Sequence, residues 1–281
     1  MTLVVKLPLV FFYSALLLLA ACSKNPDLIS LKGNAFGTFY DIKLVTDSVS
    51  VSKIKKTLND SIREMNKCCS TYDEESLVSH VRDNKSTDLF DLRLITIFDE
   101  INKISKASNE ITQGFILFDN FDHFNAVAKG YAVDLISSEF KKLNIENFFI
   151  NIGGEIKAQG NKNDMSWKIG IEYPDEEKRE IFKIINLNNL SVATSGNYKN
   201  PGHILGKNKN TVIHNILSIS VLDKGSTAKA DALATGLYAL ESLEEMKKII
   251  ERNNIPALVI FIDDEEIKSF QSKYWEELLE Y

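Results

Sequence analysis

The chain has 281 residues, 44% hydrophobic and 26% charged, with five prolines and no low-complexity tract; this supports a sizeable folded core and excludes a disordered or collagen-like chain. Its 39 acidic against 33 basic residues give a formal charge of −6, which argues against nucleic acid as a partner, because neutralising phosphates needs a basic face. No internal repeat is present, which removes solenoids and propellers.

The N terminus differs in kind from the rest. Lys6 precedes an apolar run from Leu7 to Ala21, interrupted only by Pro8 and Ser14. The run is too short and too near the start to span a membrane comfortably, and residues 1–21 read as a signal peptide. It ends Leu19-Ala20-Ala21-Cys22, which resembles the bacterial lipobox. That resemblance implies cleavage before Cys22, lipid attachment at Cys22, and a chain exported and held on a bacterial membrane, on its periplasmic side or at the cell surface. A plain signal peptide followed by a chance cysteine is the alternative. Residues 22–32 then form a leash and residues 33–281 a single folded domain.

Further along, Phe36 to Val45 alternates as a half-buried strand. Apolar residues at helical spacing predict helices over Val51–Met65 and Leu89–Ile104. Cys68 and Cys69 are adjacent; neighbours close only a strained ring, so two small buried side chains at a helix end are expected, not a disulfide framework. Gly130 to Leu143 is another helix, with Val133, Ile136, Phe140 and Leu143 on one stripe, and Phe148–Ile152 is a short strand. Strand-like runs follow at Trp167–Tyr173, Ile181–Leu187 and Ile216–Leu222, then a long helix over Ala228–Arg252 and a β-rich run over Ala257–Ile262. Helices and strands do not alternate regularly, so the fold class expected is α+β, a single compact unit of mixed sheets packed with helices. Four scattered His and no C-x-x-C spacing make a zinc site an unfavoured reading.

Four segments can carry chemistry. Ala126 to Asp134 places small residues and Lys129 at a helix start, where bare N–H groups and an ammonium suit a phosphate; a packed helix start with a solvated Lys is the simpler reading of that segment alone. Ile150 to Ile156 runs from a strand through Gly153-Gly154 to another strand, allowing close backbone approach by a ligand or forming a plain hairpin turn. Ser191 to Tyr198 reads as a polar loop after a strand, able to hold a ligand edge or merely to turn. In Ala230 to Gly236, Asp231 and Thr235 lie four apart, so a helix puts their oxygens on one face. A carboxylate, a hydroxyl and a borrowed backbone carbonyl suit Mg2+, which keeps water and lets substrate phosphates complete its octahedron; the alternative is an Asp capping the first helical turn with Thr235 facing the core.

Taken in order with Gly37-Thr38-Phe39-Tyr40 and Ser70-Thr71-Tyr72, these segments resemble the ApbE family of FAD:protein FMN transferases. The family shows G-T-x-Y, S-x-Y, (A)-K-G-Y-x-x-D, G-G-(D/E)-I, (A)-T-S-G-x-Y and A-D-x-x-x-T, and the likeness spans Gly33 to Phe270. It implies a Mg2+ site made of the Ala126 carbonyl, Asp231 and Thr235, the last two being the residues on which catalysis depends. It implies flavin-nucleotide contacts at Phe36, Tyr72, Phe115, His123, Lys129, Gly153, Gly154, Thr194 and Ile204, with aromatic faces at Phe36 and Tyr72 for stacking. FAD would be the substrate, cleaved so that its FMN half passes to a Ser or Thr of an exported or membrane redox protein.

The sequence departs from the family pattern in three places. His123 stands where the family has an Asp, with Asp122 beside it. The stretch from Ile111 to Asn125 is short: Leu117 falls where another Asp is expected, Asp119 is the nearest candidate, and a P-L-V…W-G-F segment is missing. The H-x-x-D-P-x-T-G element appears as His203 to Asn210 without its Asp or Pro. These changes surround the flavin and adenine pockets and leave the cation residues intact. They keep open a flavin-binding lipoprotein without transferase activity, or a pyrophosphatase that splits FAD with water.

Overall fold

The structure, a computed structural model, describes residues 28–113, 121–175, 180–198, 202, 204–206, 215–240 and 242–280. The signal segment, Cys22, Phe115, Leu117, Asp119 and His203 lie outside the described residues.

Ten strands and seven α-helices are described: β1 (Leu28–Ala35), β2 (Thr38–Val45), α1 (Val51–Cys69), α2 (Leu77–Arg82), α3 (Leu92–Thr112), a 3-10 turn (Asp122–Ala126), α4 (Ala128–Lys142), β3 (Asn147–Ile152), β4 (Glu155–Gln159), β5 (Trp167–Glu172), β6 (Ile181–Leu187), β7 (Leu190–Ser195), β8 (Ile216–Asp223), α5 (Thr227–Tyr238), α6 (Leu243–Arg252), β9 (Ala257–Asp263), β10 (Glu266–Gln271) and α7 (Lys273–Leu279). Eight strands form one antiparallel sheet in the order β1-β2-β3-β4-β7-β8-β9-β10, and β5 and β6 form a separate hairpin. The α+β class follows directly.

Strand alternation sorts the side chains into two layers of core. On one face, Ile42, Leu44, Phe148, Ile150 and Ile152 pack against α1, α3 and α4, while Ala193, Ile219, Val221 and Val259 pack against α5 and α6. On the other face, Phe149, Ile156, Ala158, Val192, Leu222 and Leu258 are covered by Trp167, Ile169 and Leu187 of the hairpin and by Trp275 and Leu278 of α7. The helix side of β4 and β7 is different: there the strands present Glu155, Lys157, Ser191 and Ser195 in place of apolar residues. That polar seam is where α4 and α5 dock.

Local structure corrects several sequence expectations. Residues 28–32 belong to β1 and not to the leash; the burial of Leu31 in the core accounts for it. Phe36 is not in a strand: with Gly37 it makes the two-residue turn between Ala35 and Thr38, both at positive φ (54° and 73°), the backbone that matches the twist of a tight hairpin. The long helix expected over Ala228–Arg252 is two helices, because Ser242 accepts from Glu245 N and starts α6 afresh; Ser242-Leu243-Glu244-Glu245 has the spacing of a capping box. The loop expected over Ser191–Tyr198 is strand β7 as far as Ser195, its hydroxyls satisfied by partners across the layers. Cys68 and Cys69 are buried in the last turn of α1 as expected, but their sulfurs are joined in a disulfide.

Candidate functional site

Helices α4 and α5 meet at their N-terminal turns with no side chain between them. A Cβ on Gly130 would stand 2.6 Å from the Thr227 carbonyl oxygen and 2.8 Å from the Asp231 Cβ, so glycine is what permits this approach. The closeness lets the Gly130 N–H donate to Asp231 Oδ2 at 3.0 Å. In a regular helix that N–H would go to the carbonyl four residues back, which belongs to Ala126. Its diversion leaves the Ala126 carbonyl without a donor among the described residues.

A second carboxylate fixes how the helices start. Asp134, one turn along α4, accepts from Thr227 N (3.0 Å), Ala228 N (3.1 Å), Ser226 Oγ (3.0 Å) and Lys157 Nζ (2.8 Å). It caps α5 from outside that helix, answering the orphan N–H groups every helix start exposes. Lys157 also donates to the Gly225 carbonyl at 2.6 Å. On the sheet side, Thr227, Asp231 and Thr235 form one stripe of α5. Ser191 accepts from Thr227 Oγ1 at 2.9 Å and Ser195 shares a 3.1 Å hydrogen bond with Thr235 Oγ1. Asp231 is thus held by the Gly130 N–H on a helix whose start and sheet-facing hydroxyls are fixed by these other bonds.

The charges at this junction do not balance. Asp231 is 3% exposed and Glu155 2%, and Lys129, whose Nζ lies 2.8 Å from Glu155 Oε1, is the cation that faces them. Glu155 Oε2 has no hydrogen-bond partner. Burial and the nearby Glu155 push the Asp231 carboxyl well above the usual carboxylate range, against the opposing pull of Lys129 and the Gly130 N–H. Burial works against the Lys129 ammonium, but Glu155 and Asp231 outweigh it and hold its pKa above the ordinary lysine value. Two buried carboxylates with one ammonium leave negative charge that a low-dielectric interior tolerates poorly.

This donor chemistry suits a hard cation. No group of three or more His, Cys, Asp or Glu among the described residues is arranged around a common point, which is the pattern of a transition-metal cage. A carboxylate, a hydroxyl and an unpartnered backbone carbonyl are the oxygen donors a Mg2+-sized ion takes while keeping water and substrate phosphates in its shell. The first turn of α4, with Lys129 beside it, is at the same time a place for an anion.

Comparisons with known proteins bear on the family and the fold. A model of the ApbE family matches residues 123–259, the stretch from the 3-10 turn through β9. The chain is 28% identical to the FAD:protein FMN transferase of Vibrio cholerae over 326 aligned positions, covering 95% of this chain and 97% of that one. It is 25% identical to the protein of the same name from Haemophilus influenzae, covering 93% and 94% respectively. The chain is thus similar to the ApbE family. Its fold matches the flavin transferase ApbE of Vibrio cholerae with a TM-score of 0.77 at 24% identity, covering 90% of this chain and 99% of that one. The alignment with the Vibrio cholerae relative is longer than this chain's 281 residues, so it opens gaps in this chain.

Within the ApbE fold, the sequence-predicted residues fall into two groups. Ala126, Lys129, Asp231 and Thr235 come together around the α4–α5 junction. Gly153 and Gly154 form the β3–β4 turn that ends at Glu155, both at positive φ (66° and 115°); a Cβ on Gly154 would meet nothing within 4 Å. Gly153 N donates to the Phe39 carbonyl at 3.0 Å, joining this turn to the start of β2. Tyr72 follows α1 and is 88% exposed; its neighbour Thr71 donates to Asn125 Oδ1 at 3.1 Å, which ties that loop to the residue before Ala126. Phe36 packs partly buried against the helix-side core.

The others sit apart. His123 is buried between the Phe121 and Phe124 rings, 5.7 and 5.3 Å from them. Thr194 shares a 2.8 Å hydrogen bond with Ser220 and points to the opposite face of β7 from Asp231, because strand neighbours alternate. Ile204 is buried, clasped by Asn197 through both its N–H (2.9 Å) and its carbonyl (3.2 Å). Sequence reasoning missed Glu155, Asp134 and Ser195 as members of the site. All three stand within the motifs quoted for the family, and period-two counting from Gly154 and through β7 is the signal that puts Glu155 and Ser195 on the helix side.

Proposed function

We propose that this chain is a Mg2+-dependent FAD:protein FMN transferase, the activity in the names of its curated relatives. The observation that carries the reading is the diverted Gly130 N–H, which frees the Ala126 carbonyl beside an Asp231 and Thr235 pair on one helical stripe. These three residues would hold the ion. When bound, a divalent cation neutralises the FAD pyrophosphate and the departing AMP.

The chain's own groups do the positioning. Lys129 and the first turn of α4 bind the phosphates, and the Gly153–Gly154 turn leaves room for a ligand to approach backbone. Ser195 orients the Thr235 hydroxyl, and Asp134 sets the height of α5 against α4. The hydroxyl of an acceptor Ser or Thr attacks the FMN-side phosphorus, the bridging P–O bond breaks, and AMP leaves. Little covalent work falls to the protein; alignment and charge stabilisation supply the rate. The acceptor is an exported or membrane redox protein, and the transferase reaches it from a membrane to which Cys22 is lipid-linked, since doubly or triply acylated chains anchor stably where one chain does not.

The test is to incubate the full chain with FAD, Mg2+ and a flavin-accepting domain and to follow AMP release and acceptor mass together. The transferase reading predicts an FMN adduct on an acceptor Ser or Thr and AMP release that requires the acceptor. AMP released equally without acceptor identifies a pyrophosphatase; flavin bound with neither product identifies a binding protein.

A further inference from the structure

We propose that Glu155 supplies a second carboxylate to the cation site, sharing the divalent ion with Asp231. This deepens the cation reading above and rests on it. Glu155 ends the Gly153–Gly154 turn and faces the helix layer from β4, and it is almost wholly buried. Residues 129 and 130, consecutive in the first turn of α4, grip the two carboxylates: Lys129 Nζ holds Glu155 Oε1 at 2.8 Å, and Gly130 N holds Asp231 Oδ2 at 3.0 Å. The first turn of α4 therefore holds both acids, next to the Ala126 carbonyl, which has no donor among the described residues.

Glu155 Oε2 is the decisive atom. A buried carboxylate oxygen without a partner is costly and rarely kept unless something binds it. Lys129 satisfies only one of the two oxygens. A divalent ion would take Oε2 and the negative charge that one ammonium leaves uncompensated between two buried carboxylates. It also frees Lys129 to turn from Glu155 toward a nucleotide phosphate. Mg2+ sites commonly use one or two carboxylates in this way.

The experiment is calorimetric titration of Mg2+ into the purified full chain without nucleotide, for the parent, Glu155→Gln and Asp231→Asn, with thermal melting of each. Glu155→Gln should bind Mg2+ about ten-fold more weakly, in the range seen when a supporting ligand of a metal site is removed, and should melt no lower than the parent. Asp231→Asn should lose detectable binding. If Glu155→Gln binds as tightly as the parent while Asp231→Asn does not bind, the proposal is overturned and the cation reading stands. If both bind as the parent does, both fall. Should Glu155→Gln fail to fold, Lys129→Met and the double variant Lys129→Met/Glu155→Gln carry the test: the first keeps the Glu155 carboxylate without its ammonium, and the second removes both charges of this pair. The double variant should bind Mg2+ about ten-fold more weakly than Lys129→Met, and equal affinities would refute the role of Glu155.

Discussion

Asp231 carries the heaviest burden of any single residue in the fold. Its carboxyl is buried, and its pKa is raised by burial and by Glu155, so keeping it ionised in the cation-free protein costs free energy. The sign follows from proton counting: between the ordinary Asp range and the raised native value, the folded chain binds more protons than the unfolded one, and stability falls as pH rises. Asp231→Asn removes that loss. The variant is therefore expected to melt at or above the parent temperature at neutral pH without divalent cations, while Mg2+-dependent turnover falls by about three orders of magnitude, the scale on which removal of one charge-stabilising group acts. Addition of Mg2+ should raise the melting temperature of the parent alone, by linkage. Cation affinity in the parent should climb with pH, because binding expels the Asp231 proton; a pH-independent affinity contradicts the placement of the ion.

At the scale of elements, the junction works because two helix starts are locked together by one side chain. Asp134 accepts four donors, two of them backbone N–H groups of α5. Removing a cap of this kind costs about 1–2 kcal/mol, and here it also leaves Lys157, only 10% exposed at its side chain, without its carboxylate. Asp134→Ala should lower the unfolding free energy by about 2–4 kcal/mol, the upper end reflecting that stranded charge, and should weaken Mg2+ binding although Asp134 does not touch the ion. Chemical denaturation and a Mg2+ titration at a temperature where the variant stays folded check the two effects separately. The existence of α1, α3, α4 and most strands was legible in the sequence, because their apolar residues recur at clean periods of 3.6 or 2. What failed were boundaries and polar strands. A capping box inside an apolar run split α5 from α6, and β7 hid because Ser191, Thr194 and Ser195 look like loop residues until their buried partners on α5 and β8 are known. The four-residue spacing put Asp231 and Thr235 on one helical face, and both lie on α5; the burial of Glu155 against the helix layer was not legible, since it depends on a helix brought over β4 from elsewhere in the chain.

Over the whole molecule, the α+β class was legible from the irregular order of helices and strands, whereas the eight-stranded order and the hairpin-and-α7 layer behind it were not. Those depend on long-range pairings, such as β4 with β7, that no local pattern encodes. The architecture puts the sheet's polar seam under the N termini of α4 and α5 and keeps apolar packing everywhere else. His123, packed against Phe121 and Phe124, lies apart from this seam. The most direct measurement is calorimetric titration of FAD into the full chain with and without Mg2+. FAD binding that strengthens at least ten-fold with Mg2+, in the range expected for ligands coupled through one ion, is the predicted result. An FAD affinity that is the same in both conditions, or no FAD binding in either, would contradict a cation shared between Asp231, Thr235 and the dinucleotide.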